Sequence, residues 1–119
     1  NTSAVWAGVA PPERAARALT YLREHCDTPF GPLTAAQPHL TMTSYISPFA
    51  SFRHLLALTR AGEGEAGLRM VQRLWGHMAE ADPGDVFWEK VSPAGRAEAY
   101  WHLKCPRSFT SRVHGWAAG

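Results

Sequence analysis

Apolar positions recur at helical spacing in four stretches of this chain, and proline or glycine marks the breaks between them. Val5, Trp6 and Val9 lie on one helical face, and Pro11-Pro12 ends that segment. Pro12 suits the first turn of the next helix, where a backbone N–H would have no partner, and Glu13 is favourable at its positive end. Ala15, Leu19, Leu22 and Cys26 then stand at i, i+4, i+7 and i+11, one apolar stripe with Arg14, Arg17, Arg23 and Glu24 on the solvated side. Ser47-Pro48 reads as an N-cap and first-turn pair for a helix running through Arg60, whose apolar face is predicted at Phe49, Phe52, Leu55 and Leu56. Ala61-Gly62-Glu63-Gly64 closes it with glycine where a left-handed residue is wanted. A further helix is predicted over 65–81, with a stripe of Leu68, Val71, Leu74, Trp75 and Met78, stopped by Asp82-Pro83-Gly84. The last two helices form an αα-hairpin with facing apolar stripes.

Elsewhere the periodicity dissolves. Residues 27–44 carry two turn signals, Thr28-Pro29-Phe30-Gly31-Pro32 and Gln37-Pro38-His39, and the loop position of His39 is compatible with ligand contact. Ser92-Pro93-Ala94-Gly95 is a turn. Residues 96–104 fit a short strand, a helical turn or a loop equally well. Ser108 or Thr110 can cap a last helix carrying Val113, Trp116 and Ala117, too short to stand alone. Both ends read as cut through helices.

A length of 119 residues with 45% hydrophobic and 18% charged content allows one compact soluble domain. The net charge of +2 comes from dispersed arginines, so nucleic acid is not implied. No apolar run approaches the roughly 20 residues that span a bilayer, so no membrane partner is implied, and no targeting segment gives an address. Cys26 and Cys105 lack a Cys-x-x-Cys spacing and read as buried free thiols. The six histidines include no i, i+4 pair to chelate from one helical face, so no metal site is expected. Of five tryptophans, most should be core pieces.

Val86-Phe87-Trp88-Glu89, answered by His114-Gly115-Trp116, is the stretch that suggests chemistry. A carboxylate lodged directly after two large rings is suited to proton transfer, and Trp88 and Trp116 adjoin polar groups as ligand-facing indoles would. The plainer alternative makes Phe87 and Trp88 core anchors and Glu89 a solvated cap.

In order along the chain, Ala10-Pro11-Pro12-Glu13-Arg14-Ala15, Tyr45-Ile46-Ser47-Pro48-Phe49, Arg60-Ala61-Gly62, Trp75-Gly76-His77-Met78, Phe87-Trp88-Glu89 and His114-Gly115-Trp116-Ala117-Ala118-Gly119 form a composite pattern. It resembles the later part of the catalytic domain of bacterial α-L-rhamnosidases, glycoside hydrolase family seventy-eight. The resemblance implies an all-α fold, with residues 1–119 forming about the last third of an (α/α)6 barrel truncated at both ends. It implies an inverting hydrolase of terminal α-L-rhamnosides needing no cofactor, with a rhamnose-containing glycoside as substrate. By the same resemblance Glu89 matches the general base, His114 a histidine that hydrogen-bonds the sugar, and Trp88 and Trp116 walls of the pocket. The family's general acid lies in an upstream motif with no counterpart here, so the chain alone is expected to be inactive. Apolar faces left by a partial barrel would be covered by the rest of the barrel or by self-association. Val86 stands where threonine is common, and Arg112-Val113 replaces a small residue and cysteine. Two other readings are open: a non-catalytic helical module binding carbohydrate or protein, and a different (α/α)6 glycosidase or lyase.

Overall fold

The computed structural model describes residues 2–36, 44–82, 84, 86–97 and 115. The expectations at His39, Trp101, Cys105, His114 and Trp116, and the short C-terminal helix, lie outside those residues. Helices account for most of the described residues, which contain no strand. They run α1 (Thr2–Trp6), α2 (Pro12–Cys26), α3 (Pro48–Arg60), α4 (Gly64–Val71), a π-helical turn (Gln72–Gly76) and α5 (His77–Ala81).

Local chemistry fixes the ends of α2 and α3 where the spacing predicts them, whereas α1 stops at Trp6, ahead of the expected break at Pro11-Pro12, with Gly8 at φ 72° in the turn that follows. Pro12 opens α2 with Glu13 in its first turn. Ser47 caps α3 by accepting the Ala50 N–H at 3.3 Å, with Pro48 at the first helical position. At the other end the Glu63 N–H bonds the Leu58 carbonyl and the Gly62 N–H that of Thr59, while Gly62 sits at φ 81°. That pair of reverse bonds is a Schellman closure, open to glycine because the left-handed backbone costs it nothing. It folds α4 back onto α3.

The face that α2 buries is the expected stripe, with Leu19 and Cys26 buried and Ala15 and Leu22 half-buried, whereas α1, α3 and α4 depart from theirs. On α3, Phe49 is exposed with the Arg53 guanidinium 4.7 Å from its ring centroid, and the buried residues are Pro48, Ser51, Ala57 and Leu58. On the following run, Leu68 is 59% exposed, and Gly67, Met70, Leu74 and Met78 form the buried line. The cause is the α3–α4 crossing. A Cβ built on Gly67 would stand 2.8 Å from Leu55 Cδ1, so the helices approach most closely at a residue without a side chain. Small residues admit the close contact, and the bulky side chains one position away are turned to the rim. Similarly, Val5 is buried in α1, but Trp6 and Val9 are 47% and 77% exposed.

Two cores result. Val5, Leu19, Ala57, Leu58 and Met70 join α1 to α4 in the first. Ile46, Leu74, Met78, Trp88 and Val91 make the second, between the π turn, α5 and the loops. The loops are pinned by single antiparallel bridges, Leu33 to Ile46, Ile46 to Val91 and Val91 to Ala97. Ile46 and Val91 exchange both backbone bonds at 2.8 and 2.9 Å. The 92–95 turn forms as predicted, with Gly95 at φ 75°. Gly95 is required twice over, since a Cβ there would meet the Phe30 ring at 2.7 Å.

Candidate functional site

Glu89 is positioned by what flanks it. Trp88 is 5% exposed in the second core, and its indole N–H donates to Asp82 Oδ2 at 2.6 Å. Asp82, itself 7% exposed just past α5, also accepts the Gly84 N–H at Oδ1, a local turn that fixes the carboxylate before the indole reaches it. Two residues after Glu89, Val91 is locked to Ile46 through the paired backbone bonds. Lys90 is buried between them, with Nζ 4.1 Å from the centroid of the Tyr45 ring, a cation–π contact. Glu89 therefore sits half-buried on a short backbone segment held on both sides.

The π turn brings a histidine into the same core. His77 Nε2 lies 2.6 Å from the Gly95 carbonyl. A carbonyl only accepts, so Nε2 carries the proton. The ring tilts against Phe30 at 4.6 Å between centroids and meets Trp88 edge-on at 6.0 Å. Beside it, Arg73 clamps Asp27 with both Nη atoms, at 3.0 and 2.9 Å, and donates to the Thr28 carbonyl at 2.9 Å. π turns widen the helix by one residue and are frequent where side chains must be re-aimed.

Of the residues predicted to form the site, Glu89 and Trp88 are described and His114 and Trp116 are not. Trp88 was expected to face a ligand; its ring is enclosed by core residues and its polar edge is occupied by Asp82, so it supports the segment from behind. Cavities lined by described residues lie along α2 and α3, and Glu89 is not on the walls of these. Two of them are of similar size: one of about 450 Å³ lies among α1, the start of α2 and the end of α3, with Gly8, Ala15 and Arg60 on its walls, and one of about 440 Å³ lies between the end of α2 and the start of α3, with Cys26, Ser51 and His54 on its walls.

Sequence reasoning missed Ser51 and His54, which share the cavity-facing side of α3 at i, i+3. With Arg53 they are the polar residues between Pro48 and Leu58, and the neighbouring rings of Phe49 and Phe52 drew the predicted apolar face away from them. Burial lowers the His54 pKa below 6.5, partly offset by the carboxylates of Asp27 and Glu63, while the Arg23 charge lowers it further. Burial likewise pushes the Cys26 thiol up from 9.0, leaving it protonated and unreactive at the cavity wall. Among the described residues no cluster of three or more histidine, cysteine, aspartate or glutamate side chains could hold a metal ion, and no helix is long and apolar enough to cross a membrane. No protein-family model matches the chain, and no curated protein matches it either.

Proposed function

We propose that this chain forms part of an inverting α-L-rhamnosidase-like glycoside hydrolase, with Glu89 as the general base. The observation that carries the reading is the fixed mounting of Glu89 between the Trp88–Asp82 bond and the Ile46–Val91 bridge. A base that aims a water at an anomeric carbon gains from such a mounting, because misplacement by about 1 Å can cost on the order of 10²-fold in rate. The ordered motifs ending in Phe87-Trp88-Glu89 and His114-Gly115-Trp116 supply the substrate class. In this reading the α3–α4 hairpin is one of the paired-helix units of an (α/α)6 barrel, and His114 and Trp116 complete the sugar pocket.

The chemistry needs two carboxyl groups. Ionised Glu89 takes a proton from water as its oxygen attacks the anomeric carbon, and an acid on the opposite face protonates the departing glycosidic oxygen. In an inverting enzyme the pair stands about 6.5–9.5 Å apart to admit that water. None of the acidic residues on the helices matches the acid's motif, so that group comes from outside the matched patterns. Glu89→Gln in the protein as expressed from its gene should lower kcat on an aryl α-L-rhamnoside by about 10³-fold or more with little change in KM. Turnover within about twofold of wild type would rule Glu89 out as the base.

A second reading, a non-catalytic helical module, draws on the enclosure of Trp88, whose polar edge is already taken by Asp82. Saturable quenching of tryptophan fluorescence by rhamnose, with no hydrolysis by the wild-type protein, would select it.

A further inference from the structure

We propose that the cleft between α2 and α3 binds a small hydroxylated carboxylate, such as a sugar acid. Two cavities, of about 440 and 220 Å³, fill this cleft and share Leu22, Pro32 and His54 as walls. Taken together, the two are within the roughly 300–1,000 Å³ range of small-molecule sites.

The polar groups point to an occupant. Among the described residues, the buried side-chain atoms without a hydrogen-bond partner are Ser51 Oγ and Arg73 Nε. Ser51 lines the wider cavity and Arg73 the narrower one. Ser51 is only 2% exposed, on a face where alanine would pack without leaving a hydroxyl unpaired. Buried polar atoms are nearly always satisfied, so two orphans on the walls of one cleft mark a place where something else supplies the partner.

The two halves differ in charge. The wider half has no charged side chain among its described walls and offers the Ser51 and Thr34 hydroxyls beside Leu22 and Pro32, which suits a hydroxyl-bearing body. The narrower half carries three guanidinium groups, Arg23, Arg69 and Arg73, against one carboxylate, Asp27. Asp27 engages both Nη atoms of Arg73 and leaves Nε as the donor. Arg23 and Arg69 pair with Glu63 and Glu65, which lie outside the cavity wall. With much of the positive charge already paired, one carboxylate matches this end better than a dianionic phosphate. His54 stands where the halves meet. Burial keeps its imidazole neutral at pH 7, so it can donate from one nitrogen and accept at the other toward neighbouring hydroxyls.

The site is separate from Glu89 and does not rest on the hydrolase reading. D-glucuronate is titrated into the full chain by calorimetry and by following the His54 ring resonances, with D-glucose and inorganic phosphate as controls. Saturable one-to-one binding of glucuronate, about tenfold or more tighter than either control, is expected from a charge-assisted contact added to the hydroxyl contacts. Ser51→Ala, which removes a single oxygen, should weaken it about fivefold to tenfold, and Arg69→Gln, on the exposed rim, should weaken it by a similar factor. Glu89→Gln should leave it unchanged. Absence of saturation by about 10 mM, glucose or phosphate binding as tightly as glucuronate, or an unaltered affinity in Ser51→Ala would each overturn the proposal.

Discussion

Replacing Trp88 by phenylalanine tests how the Glu89 segment is held. The substitution deletes the N–H that meets Asp82 Oδ2 at 2.6 Å, in a place where both partners are less than one-tenth exposed. A hydrogen bond to a charged group contributes about 1.5–3 kcal/mol. The smaller ring gives up about 40 Å² of buried apolar surface, roughly 1 kcal/mol more. The expected loss is therefore about 2.5–4 kcal/mol. With an unfolding entropy of about 2.1 cal/mol/K per residue, that lowers Tm by about 10–16 °C for a chain of 119 residues. Urea unfolding followed by far-UV circular dichroism measures the loss directly. A double-mutant cycle with Asp82→Ala isolates the bond, and a coupling of about 1 kcal/mol or more is expected. A loss below about 1 kcal/mol, or a cycle additive within about 0.5 kcal/mol, would show that the indole and the carboxylate do not act together.

Gly67→Ala sets a helix-propensity gain of about 1 kcal/mol against overpacking of about 1–3 kcal/mol, because the new methyl meets Leu55 Cδ1 at 2.8 Å. The substitution should be neutral to mildly destabilising in the wild type and stabilising in a Leu55→Ala background; the same sign in both would place the helix crossing elsewhere. His54 makes stability depend on pH. Its folded pKa lies below the unfolded value of 6.5, so as pH falls through 6.5 the unfolded chain binds the proton first and stability drops until the folded pKa is passed. Tm should therefore fall more steeply between pH 7 and pH 5 in the wild type than in His54→Gln, and parallel profiles would refute that origin.

The candidate site was legible in part. Glu89 stood out in the sequence because a carboxylate follows two large rings, and the fold does give it a fixed backbone. The role of Trp88 was not legible, since a tryptophan looks the same in sequence whether its ring is enclosed or open. Its partner Asp82 read only as a turn residue, and its second oxygen found the indole six positions later. Ser51 and His54 were hidden by their aromatic neighbours, which drew the predicted face of α3 toward Phe49.

By itself the sequence determined where α2 and α3 begin and end and where the chain turns after them. Pro12, the Ser47 cap, the Gly62 closure and the Ser92–Gly95 turn act on backbone groups a few residues away, so their effect does not depend on the rest of the molecule. The buried side of α2 was legible in its spacing, but on α3 and α4 tertiary structure decided which side is buried, because that depends on how near two helices can come. Gly67 and Ala57 set that distance through what they lack, and hydrophobic periodicity gives no weight to a missing side chain. The bridges from Leu33 through Ile46 and Val91 to Ala97, and the cleft between α2 and α3, likewise arise only when segments distant in sequence meet.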